Sequence, residues 1–374
     1  MKTLLFTLEY PPQKGGVSNY YHNLVQNWPD SRIGVLTVPG AWNNTKEEKI
    51  TRKKLLSSWL RPRWLPGFWH LAQRIRKSKY THILVGQILP LGIVSYYLSF
   101  LMKFRYAVII HGMDWTWALK KKRKRNMARK ILNRADKIIC GNTYVASLIK
   151  KELGVQQSLK IKVVNPGLSP VEPSQNKNIQ KKFPDHYDPE KDILLLTLGR
   201  LVKRKGVDKV LEALPQVWAE KGNIKYFVAG SGPEEEYLLQ KKQKLGADQE
   251  KVFFWGDVEE EEKWHLLQLC DIFIMPAREV QGDFEGFGIV YLEANAMAKP
   301  VIAGHSGGVG DAVRHEVNGL MVDPENTREI REAILKLARN SKLRYNLGQK
   351  GKHRVKQEFS WPQKIRKINY FLNY

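Results

Sequence analysis

Two glutamates in the last third of the chain stand eight residues apart around a glycine-rich turn. Glu285 precedes a Gly-Phe-Gly sequence, and Glu293 lies inside the apolar helical pattern that follows. Such a turn exposes backbone N–H groups at a helix N-terminus, where phosphate or sugar oxygens bind. One acid could hold a sugar hydroxyl while the other holds a ribose hydroxyl of the same nucleotide sugar. The alternative is that both glutamates simply face solvent. The turn residues and the first helical residue that would join them are Gly286, Phe287, Gly288 and Ile289.

Two loops have the composition of diphosphate-binding segments. LGRLVKRKG follows a strand pattern, and its Arg200 and Lys205 could both point at one pyrophosphate, Arg as a fork and Lys as a point charge. PPQKGG places Gly15 and Gly16 between the first strand and the first helix, where bare backbone can approach a diphosphate. The alternatives are a solvated basic loop and a tight structural turn.

Three further loops supply weaker candidates. His111 in HGMD ends a strand and could support a sugar hydroxyl, although a structural histidine is the commoner case. Gly230 and Ser231 in GSGPEEE form a turn suited to a flat base or a ribose. A carboxylate in VEEEEKW could accept two N–H donors from guanine, but acids also stabilise a helix N-terminus.

Several chemistries are excluded by missing motifs. There is no Cys/His cluster with metal-ligand spacing, no Asp-x-Asp pair, no Walker motif and no GxSxG elbow. We therefore predict no metal site, and expect a diphosphate leaving group to be neutralised by Arg200, Lys205 and helix N-termini. The only cysteines, Cys140 and Cys270, lie in apolar runs and are predicted to be buried, reduced thiols of a cytosolic protein.

The elements that must position these residues alternate between strands and helices in both halves of the chain. This alternation predicts two doubly wound α/β domains with parallel sheets, whose ligands bind outside the carboxyl ends of the strands. We place the domains at residues 1–168 and 191–356, with a Pro-rich polar linker at 169–190 and a final helix, 357–374, that packs on the first domain. The apolar run 92–102 is too short to span a membrane and is predicted to be a buried helix.

Charge is distributed very unevenly along the chain. The net charge is +25, and residues 1–168 contain 30 Lys and Arg against 7 Asp and Glu. Residues 52–80 interleave Trp59, Trp64 and Trp69 with nine basic residues and no acid, and a second basic cluster spans 120–125. Tryptophan suits the headgroup boundary, and basic side chains are attracted to anionic lipid. We expect the first domain to dock on an anionic membrane surface; the alternative is that the tryptophans belong to the core.

Taken together, the motifs resemble the retaining family-4 glycosyltransferases of the GT-B fold over nearly the whole chain. The matching segments are PPQKGG, HGMD, RADKIICGNTYVASLI, VVNPG, LGRLVKRKGVDKVLEAL, VAGSGPEEEYL, WGDV, and the long stretch from MPAREVQ to VGDAV. The resemblance implies two Rossmann-like domains facing across a cleft, with the terminal helix crossing back to the first. Within the family, MPAR…GDFEGFGIVYLEA is most similar to mannosyltransferases that use GDP-mannose, including those acting on phosphatidylinositol mannosides.

The resemblance also implies roles for individual residues. Arg200 and Lys205 would grip the diphosphate, and Gly16 would supply a backbone N–H. Glu285 would bind the donor sugar, Glu293 the ribose, and His111 the sugar near the reacting carbon. The residues that fall where relatives read guanine are Val258, Glu260 and Lys263. Two positions depart from the family pattern: Ala298 replaces a glycine at a helix C-terminus, and Ser169 replaces a common Asp.

The predicted function is thus transfer of a hexose, with retention, from a nucleotide sugar to a hydroxyl of a lipid-linked or oligosaccharide acceptor. GDP-mannose is the predicted donor, no cofactor or metal is expected, and the predicted location is the cytoplasmic face of the membrane. The alternatives are a transferase that uses a UDP-sugar and a sugar-nucleotide epimerase of similar architecture. A nucleic-acid-binding protein, suggested by the charge, is disfavoured because the acid pair would have no role there.

Overall fold

The computed structural model describes residues 2–13, 15–29, 32–40, 49–170, 183–184 and 187–373. These residues divide into two compact units, one formed by 1–169 with 361–374 and the other by 170–360. Most of the predicted linker, 171–182 with 185 and 186, lies outside the described residues.

The first unit is built on a seven-stranded parallel sheet of order β3-β2-β1-β4-β5-β6-β7. Its strands are β1 Thr3–Phe6, β2 Ile33–Thr37, β3 Ile50–Arg52, β4 His82–Val85, β5 Arg105–Ile110, β6 Lys137–Cys140 and β7 Ile161–Val163. Its helices are α1 Gly16–Gln26, α2 Leu65–Ser78, α3 Leu91–Leu101, α4 Met113–Leu119, α5 Lys122–Arg134, α6 Thr143–Leu153 and the last helix of the chain, α14 Trp361–Asn373.

The central strands of this sheet are almost continuously apolar because both faces are buried. On one face, residues of α1 and α14 share a core cluster with side chains of β1, β2, β4, β5 and β6. The prediction that the final helix packs on the first domain is therefore confirmed. That helix begins at Trp361 rather than at 357, because the preceding helix continues to Glu358 and Pro362 favours a helix start.

The second unit has a six-stranded parallel sheet of order β10-β9-β8-β11-β12-β13. The strands are β8 Ile193–Leu198, β9 Ile224–Ala229, β10 Val252–Gly256, β11 Ile272–Met275, β12 Val301–Gly304 and β13 Gly319–Val322. The helices are α7 Val207–Glu220, α8 Glu235–Gln243, α9 Glu260–Leu269, α10 Ile289–Ala296, α11 Val309–Ala312, α12 Thr327–Arg339 and α13 Ser341–Glu358. The predicted class, two Rossmann-like α/β domains with parallel sheets, is confirmed.

One helix differs from its prediction. The run 92–102 forms α3, but only one side of this helix is buried: Leu98 is 1% exposed, whereas Phe100 and Leu101 are 58% and 72% exposed. The helix rests against β4 and β5 on its inner side and carries apolar residues all round, so burial cannot be deduced from apolar content alone. Both cysteines are buried and free, as predicted.

Candidate functional site

The second sheet has a topological switch point between β8 and β11. The chain proceeds from β8 to β9 and β10 on one side and then restarts with β11 on the other. Open parallel sheets bind ligands in the crevice at such a point, outside the carboxyl ends of the strands. The loops that leave these two ends are residues 199–206 after β8 and residues 276–288 after β11.

Glycines allow the loops at this edge to pack backbone against backbone. Gly206 has φ +75, and a Cβ there would collide with the carbonyl oxygen of Pro276. Gly230, with φ +124, would likewise collide with the carbonyl oxygen of Gly199. The chain therefore requires glycine at both positions, and the packing fixes the 199–206 loop against its neighbours.

Glu285 is the centre of a buried charge cluster. Its Oε2 atom lies 2.7 Å from Lys205 Nζ and 2.5 Å from Arg204 Nη1, and Arg204 Nε lies 3.2 Å from Asp283 Oδ1. Burial by itself would raise the pKa of Glu285, but the two cations outweigh it and hold this pKa below its ordinary value. Glu285 is thus a carboxylate at neutral pH, despite being only 8% exposed.

The backbone around Glu285 is fixed as well. Its N–H donates to Ser306 Oγ at 3.2 Å, and its carbonyl accepts the Gly308 N–H at 3.0 Å. Arg278 supports the other side of the cluster: its N–H donates to the Arg204 carbonyl at 2.8 Å, and its Nη2 pairs with buried Asp208 at 2.7 Å. The cluster therefore has little freedom to rearrange except at the ends of its side chains.

Helix α10 begins immediately after the Gly-Phe-Gly turn, as predicted. Gly288 adopts φ +74, and a Cβ on it would collide with the Tyr291 ring. Phe287 is 7% exposed and packs on Phe359, with ring centroids 5.9 Å apart. The first N–H groups of a helix, here from Ile289 onward, have no partner within the helix and carry the positive end of its dipole. This terminus follows Glu285 by four residues.

Glu293 forms a second buried pair further along α10. Its Oε1 lies 2.9 Å from Lys263 Nζ of α9, and the same ammonium lies 2.7 Å from Glu260 Oε1. Burial raises the pKa of Glu293, and Lys263 offsets this only in part. Burial would lower the pKa of Lys263, but its two acidic partners outweigh it and raise this pKa. Lys263 is therefore the protonated partner of the pair.

The remaining predicted residues of this unit lie around the same edge. Arg200 follows β8, is exposed, and makes no ion pair or hydrogen bond with other described residues. Ser231 Oγ donates to Asp257 Oδ1 at 2.6 Å, next to half-buried Val258. The structure thus brings Lys205 to Glu285, and Lys263 to Glu293 and Glu260, whereas Arg200 and Ser231 stand apart from both pairs.

Two participants were missed by sequence reasoning. Arg204 shares the Glu285 oxygen with Lys205, and Arg278 anchors the loop that carries both. The run of three cations at 203–205 and the Arg of MPAR were visible signals. A linear sequence does not indicate that Arg204 and Lys205 turn inward while Lys203 stays exposed, because this depends on the short 3-10 turn at Lys203–Lys205.

In the first unit, Gly15, Gly16 and His111 also lie at the carboxyl edge of the sheet. Gly15 has φ +145, and a Cβ on Gly15 or Gly16 would meet nothing within 4 Å, so intramolecular packing does not require a small residue at Gly16. His111 Nε2 lies 3.2 Å from the Tyr21 hydroxyl, which donates to the Gly86 carbonyl at 2.6 Å. Burial lowers the pKa of His111 to about 4, so the imidazole is neutral at pH 7.

Within the described residues, no group of three or more His, Cys, Asp or Glu side chains is arranged to hold a metal ion. Among the same residues, no helix combines the length and apolarity needed to cross a membrane.

Two family models match the chain, one for each unit. The model described as Glycosyltransferase Family 4 matches residues 14–171, and the model described as Glycosyl transferases group 1 matches residues 178–354. In fold, the chain is similar to Anabaena HepE in complex with UDP, with a TM-score of 0.81, 19% identity and 100% of both chains covered.

Two similar relatives extend over nearly the full length. The chain is 29% identical over 374 residues to a GDP-mannose-dependent monoacylated alpha-(1-6)-phosphatidylinositol monomannoside mannosyltransferase of Corynebacterium glutamicum, covering 96% of this chain and 94% of the relative. It is 27% identical over 387 residues to a GDP-mannose-dependent alpha-(1-6)-phosphatidylinositol monomannoside mannosyltransferase of Mycobacterium tuberculosis, covering 99% and 98%. With a family 4 domain followed by a group 1 domain, the chain belongs to the glycosyltransferases of the GT-B fold.

Proposed function

We propose that this glycosyltransferase moves mannose from GDP-mannose to a hydroxyl of a lipid-linked or glycan acceptor, with retention at the anomeric carbon and without a metal. The observation that carries the proposal is the arrangement of Glu285, Lys205 and Arg204 at the switch point of the second sheet, four residues before the N-terminus of α10. One edge thus offers cations and a helix N-terminus for a diphosphate and a fixed carboxylate for sugar hydroxyls. The two nearly full-length relatives support the donor assignment.

The proposed roles follow from the charges. Lys205 and Arg200, with the N–H groups of α10 and of Gly16, receive the diphosphate, and Arg204 is added to this set. Glu285 accepts hydrogen bonds from hydroxyls of the transferred sugar, and Glu293 from the ribose. Neutral His111 offers an uncharged imidazole near the reacting carbon. The nucleoside would be surrounded by loop residues and by the first turn of α9. The loop residues are Gly230, Ser231 and Val258, and those of α9 are Glu260 and Lys263.

The chemical step needs no protein base in this proposal. The bond between the anomeric carbon and the diphosphate oxygen breaks, and a bond from the anomeric carbon to the acceptor oxygen forms on the same face. The acceptor proton passes to the departing diphosphate oxygen. The cations lower the barrier if they attract the diphosphate more strongly in the transition state, where its negative charge develops. Only interactions that strengthen in the transition state accelerate the reaction.

The test is a donor screen on the purified protein. GDP-mannose, UDP-glucose and UDP-N-acetylglucosamine are each incubated with phosphatidylinositol or a phosphatidylinositol mannoside in detergent, and nucleotide release and product are measured. We expect nucleoside diphosphate release only with GDP-mannose, dependent on acceptor, and an α-mannoside by NMR. Turnover of a UDP-sugar would select the alternative transferase, and epimerised donor without acceptor would select the epimerase. A β-linked product would reject retention.

We further propose that the first unit docks on an anionic membrane surface, which we place at the cytoplasmic face. Helix α3 packs against both α2 and α5, and α5 packs against α4, so these four helices form one side of the unit. Trp59 and Trp69 are 76% and 67% exposed, and Trp64 is stacked on Tyr97 rather than buried in the core. The basic cluster 120–125 is exposed throughout, next to Trp117, which is 61% exposed.

Co-sedimentation with vesicles tests the docking. Binding to vesicles of phosphatidylcholine with phosphatidylglycerol should exceed binding to phosphatidylcholine alone and should fall with salt. Neutralising Lys120, Lys121, Lys122 and Lys124 to Gln, or changing Trp59 and Trp69 to Ser, should weaken it. The matched control neutralises four exposed lysines of α13, which are Lys342, Lys350, Lys352 and Lys356. Equal recovery with neutral and anionic vesicles, or an equal effect of the control, would reject the surface.

A further inference from the structure

The first sheet has a switch point of its own. The chain leaves β1 for β2 and β3 on one side and restarts with β4 on the other side of β1. The carboxyl ends of β1 and β4 therefore flank the crevice in which such a sheet binds ligands. The roles proposed above use Gly16 and His111 but assign nothing to the residues that immediately follow these two strands.

Those residues form a hydrogen-bonded polar cluster: Thr7 and Glu9 after β1, and Gln87 after β4. Gln87 Nε2 donates to Thr7 Oγ1 at 3.2 Å and reaches Glu9 Oε1 at 3.5 Å. The Thr7 hydroxyl in turn accepts the Glu9 N–H at 3.1 Å, and Gln87 Oε1 accepts the N–H of Leu8 at 2.9 Å. Thr7 is 0% and Gln87 7% exposed, so the cluster is built into the sheet edge and is not a mobile surface feature.

The Glu9 carboxylate has the fewest hydrogen-bond partners of the cluster among the described residues. It lies in a half of the chain with 30 basic and 7 acidic residues, yet it makes no ion pair with any other described residue. Among the described residues, its carboxylate has one side-chain partner, the Gln87 amide at 3.5 Å. Burial raises the pKa of Glu9, and the Gln87 hydrogen bond offsets this only in part. A half-buried carboxylate is costly unless hydrogen-bond donors satisfy it, and a ligand can supply them.

The cluster is continuous with the His111 region. Gly86, the residue before Gln87, accepts the Tyr21 hydroxyl at 2.6 Å, and that hydroxyl lies 3.2 Å from His111 Nε2. The edge thus presents a carboxylate, a buried amide and a neutral imidazole. This set is rich in hydrogen-bond acceptors and carries negative charge, so it favours hydroxyl donors and disfavours phosphate.

We propose that Thr7, Glu9 and Gln87 form the subsite for the acceptor, and that this subsite takes a neutral polyol ring, a hexose or a cyclitol, through hydroxyls that donate to Glu9. The proposal rests on the function proposed above, because it assigns the acceptor side of the same reaction. Gln87 is a positioning residue that holds Glu9, and Glu9 makes the ligand contact. A charged headgroup attached to the ring would lie outside this subsite.

Direct binding and kinetics test the subsite together. Methyl α-D-mannopyranoside and myo-inositol are titrated against the full chain by saturation-transfer NMR, and the acceptor KM is measured with GDP-mannose as donor. We expect Glu9→Gln to weaken polyol binding and raise the acceptor KM about tenfold or more, the loss expected for a hydrogen bond to a charged group. The Kd of GDP-mannose should not change. Gln87→Ala should act in the same direction but less strongly.

The control is Asp136→Asn, which removes an acid at the opposite, amino-terminal edge of the same sheet, just before β6. It should leave polyol binding and the acceptor KM at wild-type values. Equal polyol affinity in wild type and Glu9→Gln, or no polyol binding by a wild-type protein that binds GDP, would overturn the subsite. Failure of GDP-mannose to bind or react, with polyol binding still dependent on Glu9, would instead reject the proposed donor chemistry.

Discussion

Lys205 Nζ lies 2.7 Å from Glu285 Oε2, and Arg204 shares the same oxygen at 2.5 Å. The residues proposed to hold the diphosphate and the sugar of the donor therefore neutralise one another in this structure. A diphosphate must draw the cations toward itself, and this leaves the Glu285 carboxylate free for sugar hydroxyls. Donor binding and the release of Glu285 are thus expected to be coupled.

Lys205→Ala and Glu285→Ala should each lower kcat/KM by about one to two orders of magnitude, since each removes a charge-assisted contact worth about 1.5–3 kcal/mol. Because the two residues act on one another, the double variant should lose less than the sum of the single losses. Steady-state kinetics on all four proteins measure this coupling. Lys203→Ala is the control, because Lys203 is exposed in the same loop. Full additivity, or wild-type kinetics in both single variants, would separate this pair from the donor site.

Lys263→Met should destabilise the protein by about 3 kcal/mol or more, because it leaves Glu293 buried without its cation. The double variant Lys263→Met/Glu293→Met should recover most of that loss, while Glu293→Ala alone should abolish most turnover. Urea unfolding gives the stabilities, and GDP-mannose turnover gives the activity. A stable Lys263→Met variant would mean that water, not Lys263, satisfies the Glu293 carboxylate.

Activity should survive EDTA. The described residues contain no side-chain group suited to a metal ion, and Lys205 and Arg204 already supply cations where the diphosphate is proposed to bind. The measurement is the rate of GDP release from GDP-mannose after dialysis against EDTA, with untreated enzyme as the control. A loss of rate that Mg²⁺ or Mn²⁺ restores would contradict the expectation.

The sequence was sufficient to predict the sheets and the helix that follows the Gly-Phe-Gly turn. Alternating β-branched runs and amphipathic helices determine the parallel sheets, and Gly288 marks the start of α10 because its φ of +74 excludes most side chains. Spacing alone also placed Glu293 inside that helix. These are local properties of the chain, which sequence reasoning captures well.

The pairing of the site could not be predicted in the same way. The resemblance assigned Lys263 to the base and gave no sign of its pairing with Glu293, which arises because α9 and α10 pack together. Arg204 turns toward Glu285, whereas Arg200 stays exposed. Both outcomes depend on contacts between segments about 30 and 80 residues apart, which single-residue patterns do not encode.

Ala298→Gly should stabilise the protein by up to about 1 kcal/mol. Ala298 adopts φ +58 after the end of α10, the left-handed geometry that the family resemblance predicted for this position. That geometry destabilises a non-glycine residue by roughly 1–2 kcal/mol, which glycine would relieve. Glycine also gives the unfolded chain more conformational freedom, and this lowers the gain by about 0.4–1 kcal/mol. Thermal unfolding measures the change. The control Ala294→Gly, inside α10, should lower Tm. A lower Tm for both variants would show that strain at Ala298 is negligible.

Asp114→Asn should gain stability relative to wild type as pH rises from about 4 to 6. Burial raises the folded-state pKa of Asp114 to about 6, with backbone N–H groups of its own loop offsetting part of the shift. Between its ordinary value of 3.8 and 6, the folded state binds more protons than the unfolded state, so wild-type stability falls as pH increases. The Asn variant lacks this titration, and its advantage should grow by about 1–3 kcal/mol over that interval and level off above it.

The change with pH, rather than the absolute difference, is the quantity to measure, because Asn also alters the hydrogen bond that Asp114 Oδ1 accepts from Gly112 at 3.1 Å. That alteration adds a constant to the difference in stability between the two proteins. It does not change how this difference varies with pH. His111, whose pKa is lowered to about 4, is present in both proteins. Its contribution to the pH dependence of stability therefore cancels when the two curves are subtracted. Urea unfolding at pH 4, 5, 6 and 7 supplies the curves. Parallel curves over this range would show that the Asp114 carboxyl titrates normally and is solvated in the folded protein.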